Sequence, residues 1–134
     1  MNEAKKRINE DSHYKDLAKT VTDSYTLIMQ AEPDKGISEP LVLGFEIENG
    51  TMTDVWRGDR KTDFILQATY GNFVDILTGN LNITKAFLTR KLKIKGNLAR
   101  LLKTSKATER FVEVLQSIPT EFEGEYQSRS TTNE

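Results

Sequence analysis

The chain has 134 residues and a mass of 15.3 kDa, the scale of a single domain with one core, in which roughly two thirds of the unfolded surface is expected to be buried. Its 19 Lys and Arg offset 20 Asp and Glu, and a net charge of -1 supplies no global field to attract nucleic acid, so none is expected as a partner. A mean hydropathy of -0.55 leaves no room for a membrane span, and the lack of cysteine excludes disulfides, thiolate metal sites and cysteine nucleophiles. No apolar stretch follows Met1-Asn2-Glu3-Ala4-Lys5-Lys6, so a cytoplasmic location is the expectation.

Along the chain, Ile8, Tyr14, Leu17, Ala18 and Val21 recur at spacings of three and four among charges. That spacing predicts a helix over about 9–20, with Asp11 or Ser12 as its cap. From Asp23 the period becomes two: Tyr25, Leu27 and Met29 alternate with Ser24, Thr26, Ile28 and Gln30, as in a strand. Glu32-Pro33-Asp34-Lys35-Gly36 is a turn, and a loop continues to Pro40.

Leu41, Leu43, Phe45 and Ile47 then alternate with Val42, Gly44, Glu46 and Glu48 up to Asn49-Gly50, the preferred two-residue hairpin turn. A regular ladder from that turn sets Ile47 against Met52 and Leu43 against Trp56, and it leaves Asp54 unexplained opposite Phe45. A further strand runs through Phe64, Leu66 and Ala68.

Tyr70 to Leu77 reads as a short helix ended by Gly79, and Asn82 caps a second one, Ile83 to Leu88. Leu92 and Ile94 alternate with Lys91, Lys93 and Lys95 in a strand with one wet face. Leu98, Leu101, Leu102, Phe111, Val112, Leu115 and Ile118 then keep a helical period over about 21 residues until Pro119. The order predicts an α+β domain over residues 1–119, a mostly antiparallel sheet of about five strands covered on one face by helices. Residues 120–134 are polar and are expected to fray.

Catalytic chemistry finds little support. His13, the single histidine, sits among Ser12, Tyr14 and Lys15 and reads as a surface residue rather than a general base. Glu46 and Glu48 lie roughly 7 Å apart on one strand face, but alternation with Phe45 and Ile47 already explains them as the polar side of a half-buried strand. No histidine or carboxylate set has metal-ligand spacing, and Gly71, Gly79 and Gly96 form no phosphate loop, so neither metal nor cofactor is expected. Asp75 to Glu109 encloses a basic stretch in which Arg90, Lys91, Lys93 and Lys95 either guard an exposed strand against pairing or meet anionic headgroups.

One segment carries a resemblance. Thr78-Gly79-Asn80-Leu81, Ala86-Phe87, Lys91-Leu92-Lys93-Ile94 and Gly96 resemble the signature of the sterol carrier protein type 2 family. Phe45-Glu46-Ile47-Glu48-Asn49-Gly50 is similar to the family's hairpin, and Thr62-Asp63-Phe64-Ile65-Leu66 to its following strand. The family usually has Gly where this chain has Arg90, and often Lys where it has Asn80; a bulky Arg90 implies an altered cavity rim or strand entrance.

The resemblance implies an apolar tunnel between sheet and helices for a sterol, fatty acid, acyl-coenzyme A ester or phospholipid. Candidate lining groups are Trp56, Phe64 and Leu66 from the sheet, Phe73, Ile76, Leu77 and Phe87 from the short helices, and Leu98, Leu101, Leu102 and Phe111 from the last helix. Non-catalytic lipid carriage with transient contact to an anionic membrane is the leading expectation. An interaction module of the same fold with a filled core, able to form a homodimer, is the alternative; an enzyme using Glu46 or Asp63 as base is a weaker third. The terminal Thr132-Asn133-Glu134 lacks the Ser-Lys-Leu type address of peroxisomal relatives.

Overall fold

The computed structural model describes residues 2–129. Five strands form one sheet: β1 (Thr22–Gln30), β2 (Leu41–Glu48), β3 (Thr51–Arg57), β4 (Phe64–Thr69) and β5 (Lys93–Lys95), in the order β3-β2-β1-β4-β5. The helices are α1 (Asn2–Glu10), α2 (Ser12–Ala18), α3 (Tyr70–Leu77), α4 (Ile83–Leu88), α5 (Leu98–Lys103) and α6 (Ser105–Gln116), with 3-10 turns at Pro33–Lys35 and Gly124–Arg129. Tyr25, Leu27 and Met29 of the central strand face the helices, as do Phe45 and Ile47 of β2 and Phe64, Leu66 and Ala68 of β4. The expected α+β architecture with a mostly antiparallel sheet is what forms.

The first four strands do not pair simply in chain order. β1, β2 and β3 are antiparallel neighbours, but β4 returns to the far side of β1 and runs parallel to it. The link over residues 58–63 crosses the face away from the helices, where outward-facing β1 side chains hold it. Thr26, fully buried, donates to the Arg60 carbonyl at 3.3 Å and shares a 2.8 Å hydroxyl hydrogen bond with Thr62. Ser24 donates through its amide and hydroxyl to the Asp63 carboxylate at 2.9 and 3.1 Å.

The β2–β3 register also departs from the regular ladder. Ile47 pairs with Met52 as expected, but a bulge then pairs Glu46 with Asp54, Phe45 with Val55, Gly44 with Trp56 and Leu43 with Arg57. The extra residue, Thr53, bonds back to the Glu46 carboxylate at 3.0 Å. Because side chains alternate with a period of two, this slip of one turns Asp54 away from Phe45 and Trp56 to the outer face. There the indole lies on Gly44, under the Arg60 guanidinium 4.2 Å from its ring centre, and its buried Nε1 lacks a hydrogen-bond partner among the described residues. Trp56 is thus removed from the set between sheet and helices.

Both long helical readings break. Asp11 takes an extended conformation and accepts from the Tyr14 amide at 2.8 Å, so it ends α1 and caps α2. Thr104 turns its hydroxyl onto the Leu101 carbonyl at 3.0 Å and separates α5 from α6. The last expectation to change is the frayed tail. Phe122 and Tyr126 are buried, the Tyr126 hydroxyl donates to Glu32 at 2.9 Å, and the Glu123 amide donates to the Tyr70 hydroxyl at 3.0 Å. The segment packs where Gly36 and Gly124, both at positive φ, meet so closely that a Cβ on Gly36 would lie 2.9 Å from the Gly124 Cα. Residues 130–134 of that tail lie outside the described residues.

The interior divides into two apolar clusters. One gathers Ile8, Tyr14, Ala18, Phe45, Ile47, Met52, Ala107 and Val114 under α1, α2 and α6. The other gathers Met29, Phe64, Leu66, Phe73, Ile76, Leu92 and Phe122 under α3, α4 and the C-terminal segment. Tyr25 and Leu27 pack against both. A Cβ on Gly44 would come within 2.2 Å of the indole of Trp56, the only tryptophan. Gly44→Ala is therefore expected to destabilise the fold by about 1–3 kcal/mol and to displace that ring, read by denaturation followed through tryptophan fluorescence.

Candidate apolar ligand site

An aromatic row crosses the helix-facing side of the sheet. Phe64 of β4 stacks on Tyr25 of β1 at 5.5 Å, Tyr25 on Phe45 of β2 at 4.8 Å, and Phe45 on Phe111 of α6 at 5.0 Å. Phe111 meets Tyr14 of α2 edge-on at 5.7 Å. These rings sit together because positions 25, 45 and 64 occupy one pleat face and one line of the register. Burial pushes the Tyr14 phenol up to about 12, and that of Tyr25 higher still, so both remain neutral donors at any physiological pH.

The cover over this row is uneven. α6 contributes buried Ala107, Val112 and Val114, whereas α5 contributes no buried residue and rests on Leu101, which packs against the larger cluster. What ties α5 down is Arg100. Its guanidinium lies 5.2 Å from the Phe64 ring centre, donates to the Asp23 carboxylate, and stands 4.0 Å from Asp63. Desolvation, with a contribution from the Asp63 charge, raises the Asp23 carboxyl above its usual value, and Arg100 opposes that rise.

A groove of about 680 Å³ opens between α2, α6 and the start of α4. Its apolar lining comes from both clusters: Leu17 belongs to the smaller one, and Leu81, Ile83 and Val112 to the larger. His13, Lys106, Glu109, Arg110 and Gln116 contribute to its polar lining. Arg110 also clamps the helices, donating to both Asp11 oxygens at 2.9 and 2.6 Å. That guanidinium, together with the α2 cap, holds the Asp11 carboxyl down at about 2.

The expected lining residues divide accordingly. Phe64, Leu66, Phe73 and Ile76 are buried in the larger cluster, Leu77 and Leu101 pack against it, Phe87 is half-buried, and Phe111 lies in the aromatic row. Leu98 and Leu102 stand in solvent, 37 % and 59 % exposed. Tyr25, Phe45 and the groove residues Leu17, Leu81, Ile83 and Val112 were absent from the sequence-derived set. For Tyr25 and Phe45 the signal was available: both share the apolar parity of their strands.

Arg90, Lys91, Lys93 and Lys95 are exposed, and pairing of Lys93 with Gln67 and Lys95 with Ile65 puts both lysines on the outer face. His13, Glu46 and Glu48 are exposed as well, and Asp63 is engaged by Ser24. Among the described residues no group of three or more His, Asp or Glu side chains is placed to hold a metal ion, and no helix is long and apolar enough to cross a membrane.

The profile of the SCP-2 sterol transfer family matches residues 1–109. The chain belongs to that family. A crystal structure of sterol carrier protein 2 superposes with a TM-score of 0.81 at 22% identity, over 87% of this chain and 93% of that one. The solution structure of a conserved hypothetical protein of Thermus thermophilus, described as possibly a sterol carrier protein, gives 0.77 at 23% identity, over 87% and 86%. The hydroxysteroid dehydrogenase-like protein 2 of Homo sapiens is 41% identical over 46 residues, which are 34% of this chain and 11% of that longer protein.

The glycine that the resemblance implies at position 90 acquires a physical reason here. Arg90 has a φ of 64°, in the left-handed region that strains an L side chain. Arg90→Gly is expected to raise stability by about 1 kcal/mol, measured by chemical denaturation. The depressed Asp11 carboxyl adds stability above its ordinary pKa of 3.8, and that contribution is lost as pH falls toward about 2. The stability difference between the wild type and Asp11→Asn should therefore shrink across that window.

Proposed function

We propose that this chain is a non-catalytic carrier of a long apolar ligand of the sterol, fatty acid, acyl-coenzyme A or phospholipid class, working in the cytoplasm. The observation that carries this reading is an aromatic floor under a helix with no buried residue, in a member of a sterol transfer family. Phe64, Val74 and Leu92 are at most 1 % exposed, whereas Tyr25, Leu27, Leu101 and Phe111 on the same side of the sheet are only half-buried. A ligand takes its place by displacing α5, whose polar anchorage rests on the Arg100 guanidinium, and by spreading along Tyr25, Phe45 and Phe111 toward the groove. Apolar burial at about 25 cal/mol per Å² drives the transfer.

A second reading rests on the match to a small part of a longer dehydrogenase-like protein: the domain serves as an interaction module with a filled core. Titration of the purified, delipidated chain with a fluorescent fatty acid separates the two. The carrier saturates at micromolar ligand, and Leu101→Arg, which puts a charge beneath α5, abolishes the signal. Native mass spectrometry supplies the second arm, since co-purifying lipid supports carriage, whereas a lipid-free stable dimer that fails to saturate supports the module. Arg100→Ala is expected to speed ligand exchange severalfold in stopped-flow measurements, because the anchor of the cover is gone.

A further inference from the structure

Ligand entry beneath α5 has an electrostatic consequence at one end of the aromatic row. Asp23 stands at the start of β1 with the inward parity of Tyr25, and its side chain is only 9 % exposed. Asp63 reaches the same corner from the crossing link, where the Ser24 amide and hydroxyl both donate to one of its oxygens. The next residue, Phe64, ends the row. Gly96 leads the chain into α5 directly over this corner: a Cβ there would lie 2.5 Å from the Phe64 ring and 2.6 Å from the Asp63 carbonyl.

Two carboxylates and an aromatic face thus meet, and among the described residues Arg100 is the one cation within 4.0 Å of either acid. Its guanidinium donates to Asp23 and lies 5.2 Å from the Phe64 ring centre. The corner is short of positive charge even so. Burial raises the Asp23 carboxyl, Arg100 opposes that rise, and the Asp63 charge adds to it.

Arg100 belongs to a helix with no buried residue, so its guanidinium leaves when α5 is displaced, whereas Asp23 stays paired with Ile47 in the sheet. A buried carboxylate that loses its only cation is costly, and the cost falls on the complex. An anionic head would add a third negative charge, and an uncharged head would leave both acids unpaired. An ammonium head restores the pairing that Arg100 made, and the negative face of the Phe64 ring attracts the same sign. The groove at the other end of the row holds no spare cation pair for an acid. There Arg110 is engaged by Asp11 and Glu113, and Lys106 shares the lining with Glu109.

We propose that the carrier selects its ligand by the charge of the head, taking a long-chain ammonium amphiphile in preference to a fatty acid or acyl-coenzyme A, with Asp23 and Asp63 as the specificity-determining residues. Arg100 is then a tethered stand-in for the cation of the ligand. This rests on the carrier reading, because the head reaches the corner only when the alkyl chain lies along Tyr25 and Phe45 beneath α5.

The test is calorimetric titration of the full chain at neutral pH with dodecylamine, dodecanol and dodecanoate, each below its micellar concentration, so that one alkyl chain carries a cationic, an uncharged and an anionic head. The amine is expected to bind about tenfold more tightly than the alcohol, and the carboxylate, held by apolar burial alone, most weakly. Asp23→Asn should cost the amine about tenfold and leave the alcohol within about twofold. Asp63→Asn, at the more exposed carboxylate, should cost the amine about threefold and keeps the test decisive if the Asp23 variant fails to fold. Glu46→Gln, on the outer face, should change nothing. Equal affinity for the three heads overturns the proposal and leaves the carrier standing, and so does an amine preference that survives both aspartate variants or is lost equally in Glu46→Gln. Failure of all three compounds to bind overturns the carrier reading and this proposal with it.

Discussion

Strict alternation along the central strand is the constraint from which the rest of the molecule follows. β1 is paired on both sides, so its parity passes to β2 and β4 residue by residue. Tyr25, Leu27 and Met29 thereby define the floor beneath the helices, and Phe45, Phe64 and Leu66 can only fall beside them. Ser24 and Thr26 define the opposite face and hold the crossing link that permits β4 to run parallel. A slip of one residue in β1 would turn its hydroxyls toward the helices and the Tyr25 ring away from them, and two neighbours would have to slip with it.

The helices that cover this floor are not equally committed. α1, α2 and α6 share a buried cluster and a bidentate Arg110–Asp11 clamp, and Asn9 of α1 brackets the Met52 backbone of β3 with bonds of 3.0 and 2.7 Å. That bracket occupies the open side of an edge strand beside its bulge, where unpaired backbone groups would invite another chain. α4 buries only Ala86 and α5 buries nothing. Local opening is cheapest where buried apolar contact is least, so the β5 side is the end at which the fold yields first. A carrier needs one such end, since ligand cannot reach a floor that is sealed equally everywhere.

Much of the architecture was legible in the residues. The alternation of β1 and β2, the Asn49-Gly50 turn, the Asn82 cap and the lysine-flanked strand all appear where their local chemistry puts them. The features that escaped are non-local or leave no periodic mark. One extra residue, Thr53, has no signature of its own; its trace was the misfit of Asp54 opposite Phe45, and Trp56 was assigned to the wrong face in consequence. The break at Thr104 was hidden because apolar spacing continues across it. Phe122 and Tyr126 were hidden among polar residues, since two aromatic side chains suffice to dock a segment whose average composition is that of a tail. Leu98 and Leu102 fit the helical pattern of a lining face, and only the orientation of α5 separates them from Leu101.

The meeting of Gly36 and Gly124 ties two places in the chain into one evolutionary unit. Each takes a backbone conformation that suits glycine, and a Cβ on Gly124 would lie 2.3 Å from the Lys35 carbonyl, so neither loop has room to absorb a side chain from the other. Drift at one position cannot be rescued by enlarging its partner, and the usual trade of large for small between neighbours is closed here. The two glycines should accordingly persist or vanish together among descendants of this chain, and a lineage that lost one would be released from keeping the aromatic pair that docks beside it.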